Sequence, residues 1–276
     1  MIGKRRFAKQ GQALFANKKI KEDLQMGFLD EQTTVPRRTM VLFFLVDTSG
    51  SMHGTKIGTV NTAIEEVLPV IADLSENNAD AEIKIAVLDF STEAKWLTPS
   101  PILAKDYVWN ALEVGGLTAL GEACLKLNEK LSRSEFMNEV VGSFAPAVFL
   151  MSDGEPTDSY GRRLEKLRQN NWFKKAIKVA VAIGNDANTK VLEEFTGSVE
   201  SVLTVHTPEA LKKMITFISV TASEIGSKSS SVGLGNIGSS NDPNDVPSKQ
   251  DDFNDALATM KAATPGVGDD DDDDWD

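Results

Sequence analysis

The segment Asp47-Thr48-Ser49-Gly50-Ser51 sets one carboxylate and two hydroxyls at alternating positions directly after an apolar run, MVLFFLV over 40–46. Two further segments carry oxygen donors beside glycine: Gly115-Gly116-Leu117-Thr118 and Met151-Ser152-Asp153-Gly154-Glu155-Pro156-Thr157-Asp158. Together Asp47, Ser49, Ser51, Thr118 and Asp153 offer two carboxylates and three hydroxyls. These are hard oxygen donors, suited to Mg²⁺ and nearly as well to Mn²⁺ in octahedral coordination. The chain has 1 Cys and 2 His, so no Cys-based zinc site competes. Such a protein shell is incomplete. It leaves positions for water or an incoming carboxylate, and with only two anions around it an ion keeps positive charge to attract one. The glycines let these loops turn tightly and approach an ion.

Donors so far apart in sequence need elements to converge them. Continuous apolar runs recur at 83–88, 147–151 and 177–183, the pattern of strands covered on both faces. Between them lie helical patterns, from about Lys56 to Leu74, from Ala119 to Leu131, around Leu164 to Phe173, from Val191 to Phe195 and from Leu211 to Ile225. Alternation of this kind predicts βαβ units and a mostly parallel, doubly wound α/β sheet with helices on both faces. In such a sheet ligands bind beyond the carboxyl ends of the strands, where all three donor segments fall. Cys124 lies on an apolar helix stripe and reads as a small buried hydrophobe. Glu155 and Asp158 read as rim or helix-capping residues.

The order Asp-x-Ser-x-Ser, then Thr, then Asp resembles the metal-ion-dependent adhesion site of the von Willebrand factor A (VWA) domain, residue by residue at Asp47, Ser49, Ser51, Thr118 and Asp153. The resemblance covers roughly residues 39–225. It implies a Rossmann-like sheet with one antiparallel edge strand, for which Thr92 to Leu97 is the candidate. It also implies a mechanism: Ser49, Ser51 and Thr118 hold the ion directly, the two Asp partly through water, and a partner's acidic side chain completes the coordination. On that reading His53, Gly116, Glu155 and Thr157 form the partner-binding rim. More narrowly, LSENNADAEIKIAVL, GGLTALGEAC, MSDGEPTD, NNWFKKAIKVAVAIG and EEFTG look like the bacterial TerY-like branch, found with tellurium-resistance and stress genes. That branch implies a protein kinase and a 2C-type phosphatase as candidate partners by association.

Charge is unevenly spread over the 276 residues, whose net charge is −12. Residues 1–38 carry +5, residues 39–225 carry −8 and residues 226–276 carry −9. The net acidity argues against nucleic acid as the partner, and no stretch matches the roughly 18 apolar residues of a membrane helix. With a single cysteine, this favours a cytoplasmic protein. The basic N-terminal extension, 1–38, and the acidic tail are complementary, so self-association through them is a further expectation. The tail, 226–276, reads as a disordered tether. Within it, 251–263 can form a short helix with Phe253 and Leu257 on one side, and the chain ends DDDDDDWD. Such a tail reads first as a solvating segment; the alternatives are an autoinhibitory mimic of an anionic ligand or a docking peptide, for which Phe253, Leu257 and Trp275 are the candidate residues.

A binding module fits better than an enzyme. The haloacid-type phosphatase needs an Asp two residues after its nucleophile, where this chain has Ser49. Neither a P-loop nor a Gly-x-Ser-x-Gly elbow occurs. Two alternatives remain: a metal-dependent phosphoester hydrolase, for which no general base is evident, and a scaffold with a vestigial metal site.

Overall fold

In a computed structural model the described residues are 37–228, apart from Val141, Asn185 and His206, and 249–263. The basic extension up to residue 36, residues 229–248 and the end of the chain with Trp275 lie outside the described residues.

The seven strands are β1 (Arg38–Asp47), β2 (Ala81–Phe90), β3 (Ala94–Trp96), β4 (Ile102–Leu103), β5 (Ala147–Ser152), β6 (Ile177–Ile183) and β7 (Val202–Val205). They form one sheet in the order β3-β2-β1-β5-β6-β7. The pairs β2–β1, β1–β5, β5–β6 and β6–β7 are parallel. β3 is the antiparallel edge, pairing Leu88 with Trp96 within the expected segment. β4 adds a second antiparallel pairing with β2 at Lys84 and Ile85, too short for any sequence period to reveal.

The described residues also form seven α-helices: α1 (Thr55–Asn77), α2 (Leu120–Lys130), α3 (Tyr160–Arg168), α4 (Asn171–Lys175), α5 (Thr189–Thr196), α6 (Pro208–Lys228) and α7 (Lys249–Ala263). They cover both faces, which is why the central strands are apolar throughout. Side chains alternate between faces along a strand. Met40, Leu42, Phe44 and Val46 of β1 enter the core shared with α1, α6 and α7. Val41, Phe43 and Leu45 enter the other, shared with α2 to α5. The single helix expected around 164–173 is broken in two. Asn170 adopts an extended conformation and its side chain accepts the backbone N–H groups of Trp172 and Phe173, starting a new helix.

The largest correction concerns residues 249–263. Phe253 and Leu257, expected on a free stripe awaiting a partner, are wholly buried in the core beside α6 and β6. Gln250 fixes the register. Its side-chain amide accepts the Lys178 N–H at 2.8 Å and donates to the Lys178 carbonyl at 3.1 Å. It thereby does the work of a neighbouring strand on β6 below the point where β7 begins, at the pairing of Ala180 with Val202. Asn254 accepts from the Ser201 hydroxyl at 2.7 Å, and Lys261 donates to the Glu200 and Val202 carbonyls. Closure entropy grows only slowly with the length of the intervening chain, so burying one apolar face suffices to hold the helix on its own domain. The expected boundary at 225 likewise falls inside α6. Among the described residues no helix is long and apolar enough to cross a membrane.

Candidate metal centre

Strand order reverses at β1, which has β2 on one side and β5 on the other. The crevice beyond the carboxyl ends of β1 and β5 is thus the topological switch point. Asp47 ends β1, and Asp153 directly follows β5. The loop before α2 brings Thr118 to the same end, because Gly115 donates its N–H to the Thr48 carbonyl at 2.9 Å and Gly50 donates to the Gly116 carbonyl at 3.2 Å.

The three loops are cross-bonded in every pairing. The first and second meet through those two backbone bonds. The first and third meet where the Ser152 hydroxyl donates to Asp47 Oδ2 at 2.6 Å. The second and third meet at Thr157, whose N–H donates to the Thr118 carbonyl at 2.9 Å and whose Oγ1 accepts the Thr118 N–H at 3.0 Å. Donors contributed by three loops are in this way held against one another by the chain's own hydrogen bonds.

Asp47 is fully buried and accepts the Ser49 N–H on Oδ1 at 2.8 Å. Burial pushes its carboxyl up to about 6, partly opposed by the hydrogen bonds from Ser152 and Ser49. The hydroxyls of Ser49 and Ser51 lie 3.0 Å apart. Asp153 is 2% exposed, and its Oδ1 is buried with no hydrogen-bond partner among the described residues. An orphaned anionic oxygen in such a place is costly unless a cation meets it. Two buried carboxylates, two adjacent hydroxyls and the buried Thr118 are an all-oxygen set that fits Mg²⁺ or Mn²⁺. Among the described residues no three His, Cys, Asp or Glu side chains gather into a metal-binding group, so an ion here relies on hydroxyl donors.

The chain matches the von Willebrand factor type A domain family over residues 42–217, well over half its length and spanning all five donors. It belongs to that family. The VWA fold is also found in solved structures of low identity. The von Willebrand factor type A protein from Catenulispora acidiphila is 17% identical with a TM-score of 0.51, covering 67% of this chain and 43% of that one. The pilus adhesin SpaC from Lactobacillus rhamnosus GG, in its open conformation, is 13% identical with a TM-score of 0.51, over 70% and 31% of the two chains. The PilB minor pilin from Streptococcus sanguinis is 12% identical with a TM-score of 0.51, over 69% and 63%. The chain therefore spans less than half the length of the first of these. No curated protein sequence matches it significantly.

Around this VWA site the expected rim residues divide. His53 is exposed beside the Ser49–Ser51 turn. Glu155 is exposed and accepts from Asn188 at 3.3 Å. Thr157 instead pins the Thr118 loop, as above, so its hydroxyl positions a donor. Gly116 is structural as well: it adopts φ +83°, and a Cβ there would collide with Thr92 Oγ1. Gly116→Ala should accordingly lower stability by about 1–3 kcal/mol and weaken Mn²⁺ binding. Gly58→Ala, in an open helical position of α1, should leave binding unchanged and stabilise by about 0.5–1 kcal/mol. Urea denaturation and calorimetric titration with Mn²⁺ check both.

Asp158 caps α2 from the neighbouring loop, accepting the N–H groups of Gly121 at 2.9 Å and Glu122 at 3.1 Å. Leu117 projects from the rim, 58% exposed. Cys124 is buried, which pushes its thiol up to about 12 and leaves it unreactive. Two contributors escaped sequence reasoning. Ser152 gave no signal because Asp153 next to it carried the motif. Lys56 lies nine residues beyond Asp47, and its ammonium sits 3.4 Å from Asp153 Oδ2 and 2.7 Å from Asp186 Oδ1. That contact also holds the Asp186 carboxyl below its ordinary value.

Proposed function

We propose that this VWA domain is a metal-dependent protein-interaction module that binds an acidic side chain of a partner. The observation that carries the reading is the buried Oδ1 of Asp153 at the three-loop cluster, which has no hydrogen-bond partner among the described residues. A bound Mg²⁺ or Mn²⁺ would supply a Lewis-acidic position for the partner's carboxylate. Ser49, Ser51 and Thr118 present hydroxyls to it, and Asp47 and Asp153 supply the anionic charge. Asp47 is fixed from both oxygens, by the Ser49 N–H and the Ser152 hydroxyl, so it needs little reorganisation to accept a cation. Five protein oxygens leave an octahedral ion one open position, which the partner's carboxylate would fill. Exposed Leu117 and His53 border the position where that anion's flanking residues would rest.

This reading makes the protein a binding module rather than an enzyme. It is supported by the fixed donor geometry and by the absence, among the described residues, of a His at the buried donors. The narrower proposal is a TerY-like cytoplasmic adaptor in a stress or tellurium-resistance system, acting with a protein kinase and a 2C-type phosphatase. Its support is the five sequence segments given above.

Partner capture on the immobilised full-length chain, with Mg²⁺ and then with EDTA, tests the function. Proteins released by EDTA, and missing from an Asp153→Ala column, are the expected result. Capture indifferent to both treatments would overturn it, and turnover of a generic phosphoester above background would move the site to the hydrolases.

A further inference from the structure

Lys56 occupies an electrostatically odd position. It lies in the first turn of α1, a helix of 23 residues, where the positive end of the helix dipole disfavours a cation. Yet the side chain is only 14% exposed and turns into the site, with Asp153 Oδ2 at 3.4 Å and Asp186 Oδ1 at 2.7 Å. The backbone makes room for it. Gly184, after β6, adopts φ +96°, and a Cβ there would meet both Lys56 Cε and Asp186 Oδ1. The two oxygens of Asp153 are thereby differentiated: Oδ2 faces the ammonium, and Oδ1 is buried with no partner among the described residues.

We infer that Lys56 is the resident counter-cation of the site: anchored by Asp186, it claims one oxygen of Asp153, leaves the other for the divalent ion and limits how tightly that ion is held. The inference rests on the metal-site reading above. A fixed positive charge beside a metal ligand repels the incoming ion through a partly desolvated medium, where Coulomb interactions are weakly screened. It also holds the three carboxylates Asp47, Asp153 and Asp186 at a combined −2 rather than −3, so that an incoming divalent ion meets less negative charge than the carboxylates alone would present. A rim carboxylate, Asp186, sets the position of the ammonium from outside the donor set.

Calorimetric titration of Mn²⁺ alone into the full-length chain and three variants tests this, with circular dichroism of the metal-free proteins as the check on folding. Lys56→Met should bind Mn²⁺ about tenfold more tightly, roughly 1.4 kcal/mol, with the gain narrowing as salt is raised. Lys56→Arg, which keeps the charge, should stay near wild type. Asp186→Asn should bind more weakly, since its loss releases Lys56 wholly to Asp153. A merely structural strut would give the opposite sign for Lys56→Met, weakening with the fold disturbed. Wild-type or weaker affinity in a folded Lys56→Met, while the wild type binds Mn²⁺, would overturn the inference alone. A wild-type chain that binds no Mn²⁺ would instead bring down the metal-site reading, and this inference with it.

Discussion

Asp47→Asn and Asp47→Ala should each abolish measurable Mn²⁺ binding, a loss of about 100-fold or more, while the domain stays folded. Losing an outer-shell partner of a metal ligand alone costs about 10–100-fold in affinity, and Asp47 carries one of the two anionic charges of the proposed donor set. The carboxylate is fully buried and held on one oxygen by the Ser49 N–H and on the other by the Ser152 hydroxyl. Two hydrogen bonds compensate only part of the desolvation of a buried anion. Asn keeps an acceptor for one of those donors and removes the charge. Metal-free stability should therefore change by no more than about 1 kcal/mol, in either direction. Thermal unfolding should show the divergence directly: Mn²⁺ raises the midpoint of the wild type, because it binds only the folded state, and leaves the variants unmoved. Unchanged Mn²⁺ affinity in Asp47→Asn would place the ion elsewhere. Loss of the fold would make Asp47 a packing residue.

Phe253→Ala carries the second large effect. The ring is wholly buried in the core beside α6 and β6, and truncating such a side chain costs about 3–5 kcal/mol. The loss falls on a helix that contributes no strand to the sheet, so it should appear first as undocking of α7. Local opening limits the measurable cost, since the sheet can persist after the helix has left. Hydrogen exchange should accelerate throughout 249–263 and at the Lys178 amide, which loses its bond to Gln250. Limited proteolysis should cut in the same segment, and urea stability should fall by less than the full truncation cost. Slow exchange retained at 249–263 would show that polar anchoring by Gln250 and Asn254 suffices without the ring. Gln250→Ala isolates that contribution, at about 1–3 kcal/mol for two backbone groups left unpaired.

The central strands were legible because burial on both faces leaves a signature that no exposed element shares. Met40 to Val46 is apolar without interruption since alternate residues enter two different cores. The edge strand at Ala94–Trp96 was reachable from the family resemblance, but β4, two residues long, and β7, Val-Leu-Thr-Val, have too few residues to show a period. The helix break at Asn170 was missed because a capping side chain looks the same in sequence whether it starts a helix or sits inside one. At the site, the chemistry of a donor was readable and its orientation was not. Thr157 reads from sequence as a rim residue, whereas its hydroxyl and amide lock Thr118 in place. Asp158 reached its capping role only across the loop, on α2, 36 residues earlier at Glu122.

By itself the sequence determined the donor types, their order and the strands that end in them, because residue chemistry and burial periodicity are local properties. Tertiary structure alone decided what each donor meets. It paired Ser152 with Asp47, left one oxygen of Asp153 unpartnered and brought Lys56 to the other, since these contacts join positions 97 and 105 residues apart. It also reassigned Phe253 and Leu257. An apolar stripe of period 3.6 states that a helix must bury one face, and it is silent on whose surface will cover it. Here the cover is the chain's own core, an outcome set by a linker long enough to reach and by the open backbone of Lys178 that Gln250 completes.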